Sequence, residues 1–175
     1  GGVGRNPLAQ SLFVEHGEFP DGIFITSGEM YFKTKDDKLP VDIQVRTVRD
    51  GTPTLEIVPF GETQIQASDV KLSDDGSVAT PFKFPSPVYL QGGYEYCLVF
   101  RAPNTPNYLC FINRIGESDL IDGGLNSGQP VIGSLFKSQN NSTWTPSQYE
   151  DLKFKLNKAQ FVTNTPSSIL LYNSE

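Results

Sequence analysis

The sequence predicts an all-β fold, an antiparallel β-sandwich of jelly-roll-like winding with at most one short helical turn. Three observations predict it. Gly and Pro together make up 29 of the 175 residues (16 Gly, 13 Pro), a dense punctuation that suits many short strands. Aromatic residues are 11%, with 12 Phe and 7 Tyr, side chains that pack well on a pleated surface. The apolar residues recur with a period of two in several stretches, and no long run has the helical period. One-sided strands need a second sheet or a closed barrel to cover their apolar faces.

The strands can be read in order. Residues 1–6 read as a linker, residues 7–163 as the sandwich, and residues 164–175 as a tail or link to a further module. The opening Gly1-Gly2, without Met, suggests a processed product or a piece of a longer chain, and no signal-peptide pattern is visible. Leu8 to Val14 is a first strand. Glu15 to Gly22 is a turn, with Asp21-Gly22 as a hairpin signal. Gly22 to Thr26 and Glu29 to Lys33 are two further strands, the second with Met30 and Phe32 on one face. Lys35 to Pro40 is a charged turn. Val41 to Val48 is the clearest element: Val41, Ile43 and Val45 alternate with Asp42, Gln44 and Arg46, which places the apolar set inward and the polar set in water. Ile57 to Phe60 reads as a short edge segment, because Pro59 cannot donate to a central ladder.

Ser73 to Gly76 is a turn and Ser77 to Phe84 a strand. Pro85-Ser86-Pro87 introduces Val88 to Leu90. Tyr94 to Arg101 is apolar on both faces, the mark of a central strand, and Tyr108 to Ile115 returns in the same manner. Cys97 and Cys110 flank this expected hairpin. They read as two buried thiols acting as small hydrophobes, with a disulfide as the alternative. Gly116 to Pro130 is a long polar loop. Val131 to Phe136 is a strand. Thr145-Pro146-Ser147-Gln148 has the form of a capped helix start, and a strand follows from about Leu152 to Val162.

Charge and composition exclude several functions. Lys plus Arg is 14 against 20 Asp plus Glu, a net charge of -6. Without a basic run, neither nucleic acid nor an anionic membrane is an expected partner. No segment approaches the roughly 20 apolar residues of a membrane-spanning helix. Two Cys and one His are too few for a common structural zinc site, so no cofactor or metal is expected. Asp119, Asp122 and Asn126 form an oxygen-rich loop whose spacing does not match the calcium loop of helix–loop–helix proteins. His16 reads as a solvated turn residue, and Glu15, Glu18, Asp119 and Asp122 as loop acids. No nucleophile motif is present, so no catalytic residue is assigned. Asn140 and Asn141 each open a glycosylation sequon, read as unmodified in the absence of a secretory signal. Trp144, Tyr149 and Tyr89 are the candidate ligand or partner contacts. Exposed rings on a sandwich, with Tyr94 and Tyr96 nearby, could stack on sugars, so a carbohydrate-binding module is the second functional reading.

Several phrases, taken in order, resemble one known family. They are Asn6-Pro7-Leu8-Ala9-Gln10-Ser11-Leu12-Phe13-Val14, Gly22-Ile23-Phe24-Ile25-Thr26-Ser27, Leu39-Pro40-Val41-Asp42-Ile43-Gln44-Val45-Arg46 and Ser86-Pro87-Val88-Tyr89-Leu90. The last is Leu135-Phe136-Lys137-Ser138-Gln139-Asn140, running on to Trp144-Thr145-Pro146-Ser147-Gln148-Tyr149-Glu150-Asp151-Leu152-Lys153-Phe154. Together they are similar to a β-domain of virion structural proteins of large contractile-tailed bacteriophages, notably those of cyanobacteria. The chain departs from the family form at Asn6, where Asp is common, and at Leu12, where an aromatic is common. The resemblance implies a non-catalytic structural module of a tail, baseplate or fibre, assembled in the host bacterial cytoplasm and located in the virion. Its implied partners are other tail or baseplate proteins, further copies of itself in the particle, and, under the alternative reading, a host glycan.

Overall fold

The alternation at Val41, Ile43 and Val45 is realised as a strand whose apolar side is fully buried. In this computed structural model residues 2–114, 130–140, 142–165 and 168–174 are described, those beyond Ala159 as backbone only. In chain order the strands are β1 (Gly2–Arg5), β2 (Leu8–Phe13), β3 (Ile23–Thr34), β4 (Val41–Arg49), β5 (Thr52–Ile65) and β6 (Ala79–Leu90). There follow β7 (Glu95–Arg101), β8 (Leu109–Arg114), β9 (Val131–Ser138), β10 (Trp144–Ser147), β11 (Glu150–Leu152), β12 (Phe154–Thr165) and β13 (Ser168–Ser174).

They form two sheets. The first has the order β1-β8-β3-β12-β13, with β6 added on β3 and β11 on β8; the second runs β10-β9-β2-β7-β4-β5. Every strand pairing is antiparallel. The chain crosses between the layers at most connections, so each sheet is assembled from distant segments. The expected antiparallel sandwich is thus the fold.

Leu8, Leu12, Ile43, Leu98, Phe100 and Leu135 from the second sheet meet Ile25, Met30, Phe32, Phe84, Val88 and Ile112 from the first. Burying each such side chain stabilises the fold by roughly 1.5–3 kcal/mol relative to leaving it in water. Gln10 is polar yet fully buried in β2, and it ties the layers together: its Oε1 accepts from the Leu152 backbone N–H (2.8 Å), and its Nε2 donates to Asp151 Oδ1 (3.3 Å). A buried amide is tolerated when its hydrogen bonds are made.

Several elements differ from expectation, each for a physical reason. Residues 2–5 are not a linker but β1, paired with β8 from Gly2↔Ile112 to Arg5↔Leu109. The two strands expected at 22–26 and 29–33 are one strand, β3. A bulge beside Ser27 shifts its register against both β6 and β12. The inward set consequently changes from Ile23 and Ile25 to Gly28, Met30 and Phe32. Ile57 to Phe60 belongs to the longer edge strand β5, where residues 58–61 bulge opposite Val45 and Phe60 adopts φ 65°. Thr145 to Gln148 does not start a helix. Residues 144–147 form β10, because pairing with β9 supplies backbone partners that a lone helical turn would lack. The short 3₁₀ turn lies instead at Ala67–Asp69. Residues 168–174, expected as a tail, form β13.

On the polar side of β4, Asp42 stays partly exposed as expected, but Gln44 and Arg46 are not in water. Gln44 and Arg46 are buried on the outer face of the second sheet. Arg46 donates through Nε and Nη2 to Gln44 Oε1 (2.8 and 2.6 Å), and Gln44 Nε2 donates to Glu62 Oε2 (2.6 Å). Beside them a second apolar cluster gathers Ala9, Cys97, Val99, Phe136 and Trp144, with Val48 against it.

β7 and β8 are not a hairpin, since they lie in opposite sheets and the segment between them crosses the sandwich. Cys97 and Cys110 are therefore free, buried thiols. Burial pushes each up to about 12, which leaves almost no reactive thiolate at neutral pH. In the native protein neither should react with a thiol reagent such as DTNB within minutes, and both should react at once in denaturant. A rapid native reaction of one equivalent would show a local opening at that strand.

Candidate interaction surfaces

The three candidate contact residues do not form one site. Trp144 and Tyr149 come together at the corner where β9, β10 and β11 meet. Tyr89 stands on β6, across β3 from β11 and β12.

At the corner, Trp144 pairs in register with Ser138 and is only 9% exposed, because its side chain belongs to the outer cluster with Phe136. It offers no open ring face. Tyr149, in the turn before β11, is 73% exposed. The turn is held by charge: Lys137 Nζ lies 2.8 Å from Glu150 Oε1, which also accepts from Ser147 Oγ at 2.7 Å. The Lys137 hydrogen bond, then that of Ser147, holds the Glu150 carboxyl below its usual range. Next to it is an open groove of about 410 Å³ lined by Lys137, Ser138, Gln139, Asn140, Thr143 and Thr145. Asn140 Oδ1 is occupied by the backbone N–H groups of Ser142 (3.0 Å) and Thr143 (2.8 Å). The groove therefore presents hydroxyls, amides and one paired cation. Those groups can hydrogen-bond a polyol or a peptide backbone, but they include no nucleophile with an adjacent base.

At the other location Tyr89 is 43% exposed. Its ring tilts against Phe24 with centroids 5.1 Å apart, and its hydroxyl donates to the Asp21 carbonyl at 2.9 Å. Gly22, at φ 79°, lies directly beneath it: a Cβ there would stand 2.6 Å from the Tyr89 ring. Tyr94 is exposed nearby, whereas Tyr96 is buried and its hydroxyl accepts from the Gln91 N–H. Of these three tyrosines, Tyr89 and Tyr94 keep open rings.

His16 lies in the turn between β2 and β3. No group of three or more His, Cys, Asp or Glu that could hold a metal ion exists among the described residues. Asp119, Asp122, Asn126 and Asn141 lie outside the described residues.

A polar clamp that sequence reading missed closes one end of the sandwich. Asp36 Oδ2 accepts from the backbone N–H groups of Lys38 (2.9 Å) and Leu39 (2.7 Å). Its Oδ1 accepts from Thr105 Oγ1 (2.7 Å) and Asn107 Nδ2 (2.9 Å). Asn6 continues the link, donating to the Thr105 carbonyl and accepting from the Ala102 N–H. Its only trace in the sequence is an Asp two residues before an exposed Lys-Leu turn. The backbone N–H of Leu39, then that of Lys38, then the side chains hold the Asp36 carboxyl well below its ordinary 3.8. A depressed acid stabilises the fold above its ordinary pKa and loses that contribution as pH falls toward the folded value. The thermal midpoint of Asp36→Asn should therefore lie below that of the unaltered chain near neutrality, and the gap should narrow as pH drops below 3.8. A gap independent of pH would assign the loss to something other than the carboxylate.

Comparison with protein-family models, with curated proteins and with solved structures found no match for this chain.

Proposed function

We propose that this chain is a non-catalytic structural module of a bacteriophage tail, baseplate or fibre assembly, making protein–protein contacts within the virion. The observation that carries the reading is where the resembling phrases fall. They lie on β2, β3, β4 and β6 and on the run from β9 to β12, strands that build both sheets. The resemblance is therefore to the frame of the molecule rather than to a loop. A frame of two sheets locked by a continuous core suits a part that must keep its shape while neighbours grip it. Phe60 on β5 and Tyr149 at the corner are exposed aromatic side chains, a residue class enriched at such contacts, and Leu55 adds apolar surface beside Phe60 on β5.

The test is composition of the particle. Mass spectrometry of purified virions that encode this chain should recover its peptides in multiple copies, cross-linked to tail components. Particles complete without it would overturn the reading.

A second reading, a glycan-binding module for host attachment, draws on the open rings of Tyr89, Tyr94 and Tyr149 beside loops rich in hydroxyls. Burial of Trp144 removes the largest ring from that set. Titration with a glycan panel decides it: binding lost in Tyr94→Ala or Tyr149→Ala supports the reading, and no binding to any glycan ends it.

A further inference from the structure

We propose that Arg46 and Arg101 together bind one external carboxylate on the outer face of the second sheet. The inference stands on the hydrogen-bond pattern of that face and does not depend on the virion reading.

β4 and β7 place the two arginines on one face. In register, Arg46 lies opposite Cys97, Gln44 opposite Val99 and Asp42 opposite Arg101, and alternate residues of a strand share a face. The Arg46 guanidinium reaches along β4 to Gln44, whose Oε1 accepts from its Nε and Nη2. It therefore leans toward the end where Arg101 stands. The two cations feel each other: burial first, then the charge of Arg101, pulls Arg46 below its ordinary pKa.

This face lacks acceptors for them. Arg46 is only 3% exposed. Yet among the described residues its Nη1 has no hydrogen-bond partner, and neither has the buried Nε of Arg101. Leaving a buried guanidinium donor unpaired is costly. The nearest acids are engaged elsewhere. Asp42, directly across from Arg101, accepts through Oδ1 from Gln64 Nε2 (2.7 Å), and Glu62 accepts through Oε2 from Gln44 Nε2 (2.6 Å). Each carboxylate is bonded to a neutral amide instead of a cation.

The unused donors select the ligand. Nη1 of Arg46 carries two N–H groups and Nε of Arg101 carries one, a number that suits the two oxygens of a carboxylate, and guanidinium edges fit that planar group. A phosphate would bring more negative charge to a chain whose net charge is already -6. Arg101 is only half-buried, so a turn of its side chain lets the anion reach both groups. The same net charge works against any anion at long range, so the affinity is modest and the response is confined to this pair.

Nuclear magnetic resonance of the arginine Nε–H groups, in the 175-residue chain titrated with acetate at constant ionic strength, tests this. The Arg46 and Arg101 signals should shift saturably, with a dissociation constant on the order of 10 mM, and sodium chloride should not move them. Arg101→Gln and Arg46→Met should each weaken binding by about tenfold or more, with backbone amide signals showing the fold retained; should the buried Arg46→Met variant fail to fold, Arg101→Gln decides alone. Acetyl-Gly-Glu-Gly-amide distinguishes the sources: tighter binding than acetate marks a protein side chain, and equal or weaker binding marks a free small acid. The proposal is overturned by no saturable shift up to about 100 mM acetate, by the same shift with chloride or with the Gln form of the peptide, by tighter binding of inorganic phosphate, or by unchanged binding in Arg101→Gln.

Discussion

Gly28→Ala should lower the unfolding free energy by about 3 kcal/mol. Gly28 is buried in β3 between Phe82 of β6 and Leu156 of β12. A Cβ there would stand 2.4 Å from the Lys155 carbonyl oxygen and 2.5 Å from Phe82 Cζ. The first neighbour is backbone, so relief requires parting β3 from β12, not a turn of a side chain. Gly51→Ala is the control. It has open space around it but φ 80°, so only the left-handed backbone is strained, at about 1 kcal/mol. Guanidinium unfolding of the two variants separates crowding from conformation. Equal losses at both positions would mean that the β3–β12 contact yields easily.

Tyr108→Ala should cost about 4 kcal/mol, in the range of large aromatic truncations. Tyr108 is fully buried, with its ring edge-on to Phe32 at 5.8 Å, and its hydroxyl donates to the Leu39 carbonyl at 2.6 Å. Tyr108→Phe keeps the ring and removes one hydrogen bond, so it should cost about 1 kcal/mol. The pair of values divides packing from polar anchoring at the end where Asp36 closes the sandwich. A Phe variant as damaged as the Ala variant would place the main effect in the hydroxyl.

The parts of the fold legible in the sequence are those where a single period operates. β4 shows it plainly, and β2 and β7 show the two-sided apolar character of central strands. β3 reads as two elements because its bulge beside Ser27 changes which parity faces the core, so the pattern reverses midway. Thr145-Pro146-Ser147-Gln148 satisfies local capping rules, yet tertiary pairing with β9 decides its state, and local rules carry no record of a distant partner. Cys97 and Cys110 read as hairpin neighbours because the chain distance is short; the layer crossing separates them.

The candidate contacts were legible as residue types but not as places. A tryptophan in a polar stretch suggests an open ring, and nothing near Trp144 in sequence announces Ala9, Val99 and Phe136, which cover it. The Asp36 clamp was invisible for the same reason: Thr105 and Asn107 lie about seventy positions away along the chain.

The burial of Trp144 has a practical consequence. It is the protein's one indole, seated at the rim of the second sheet rather than in the central core. Its fluorescence therefore reports on a single margin of the molecule. A red shift that precedes global melting would time the peeling of β10 from β9, with no label attached.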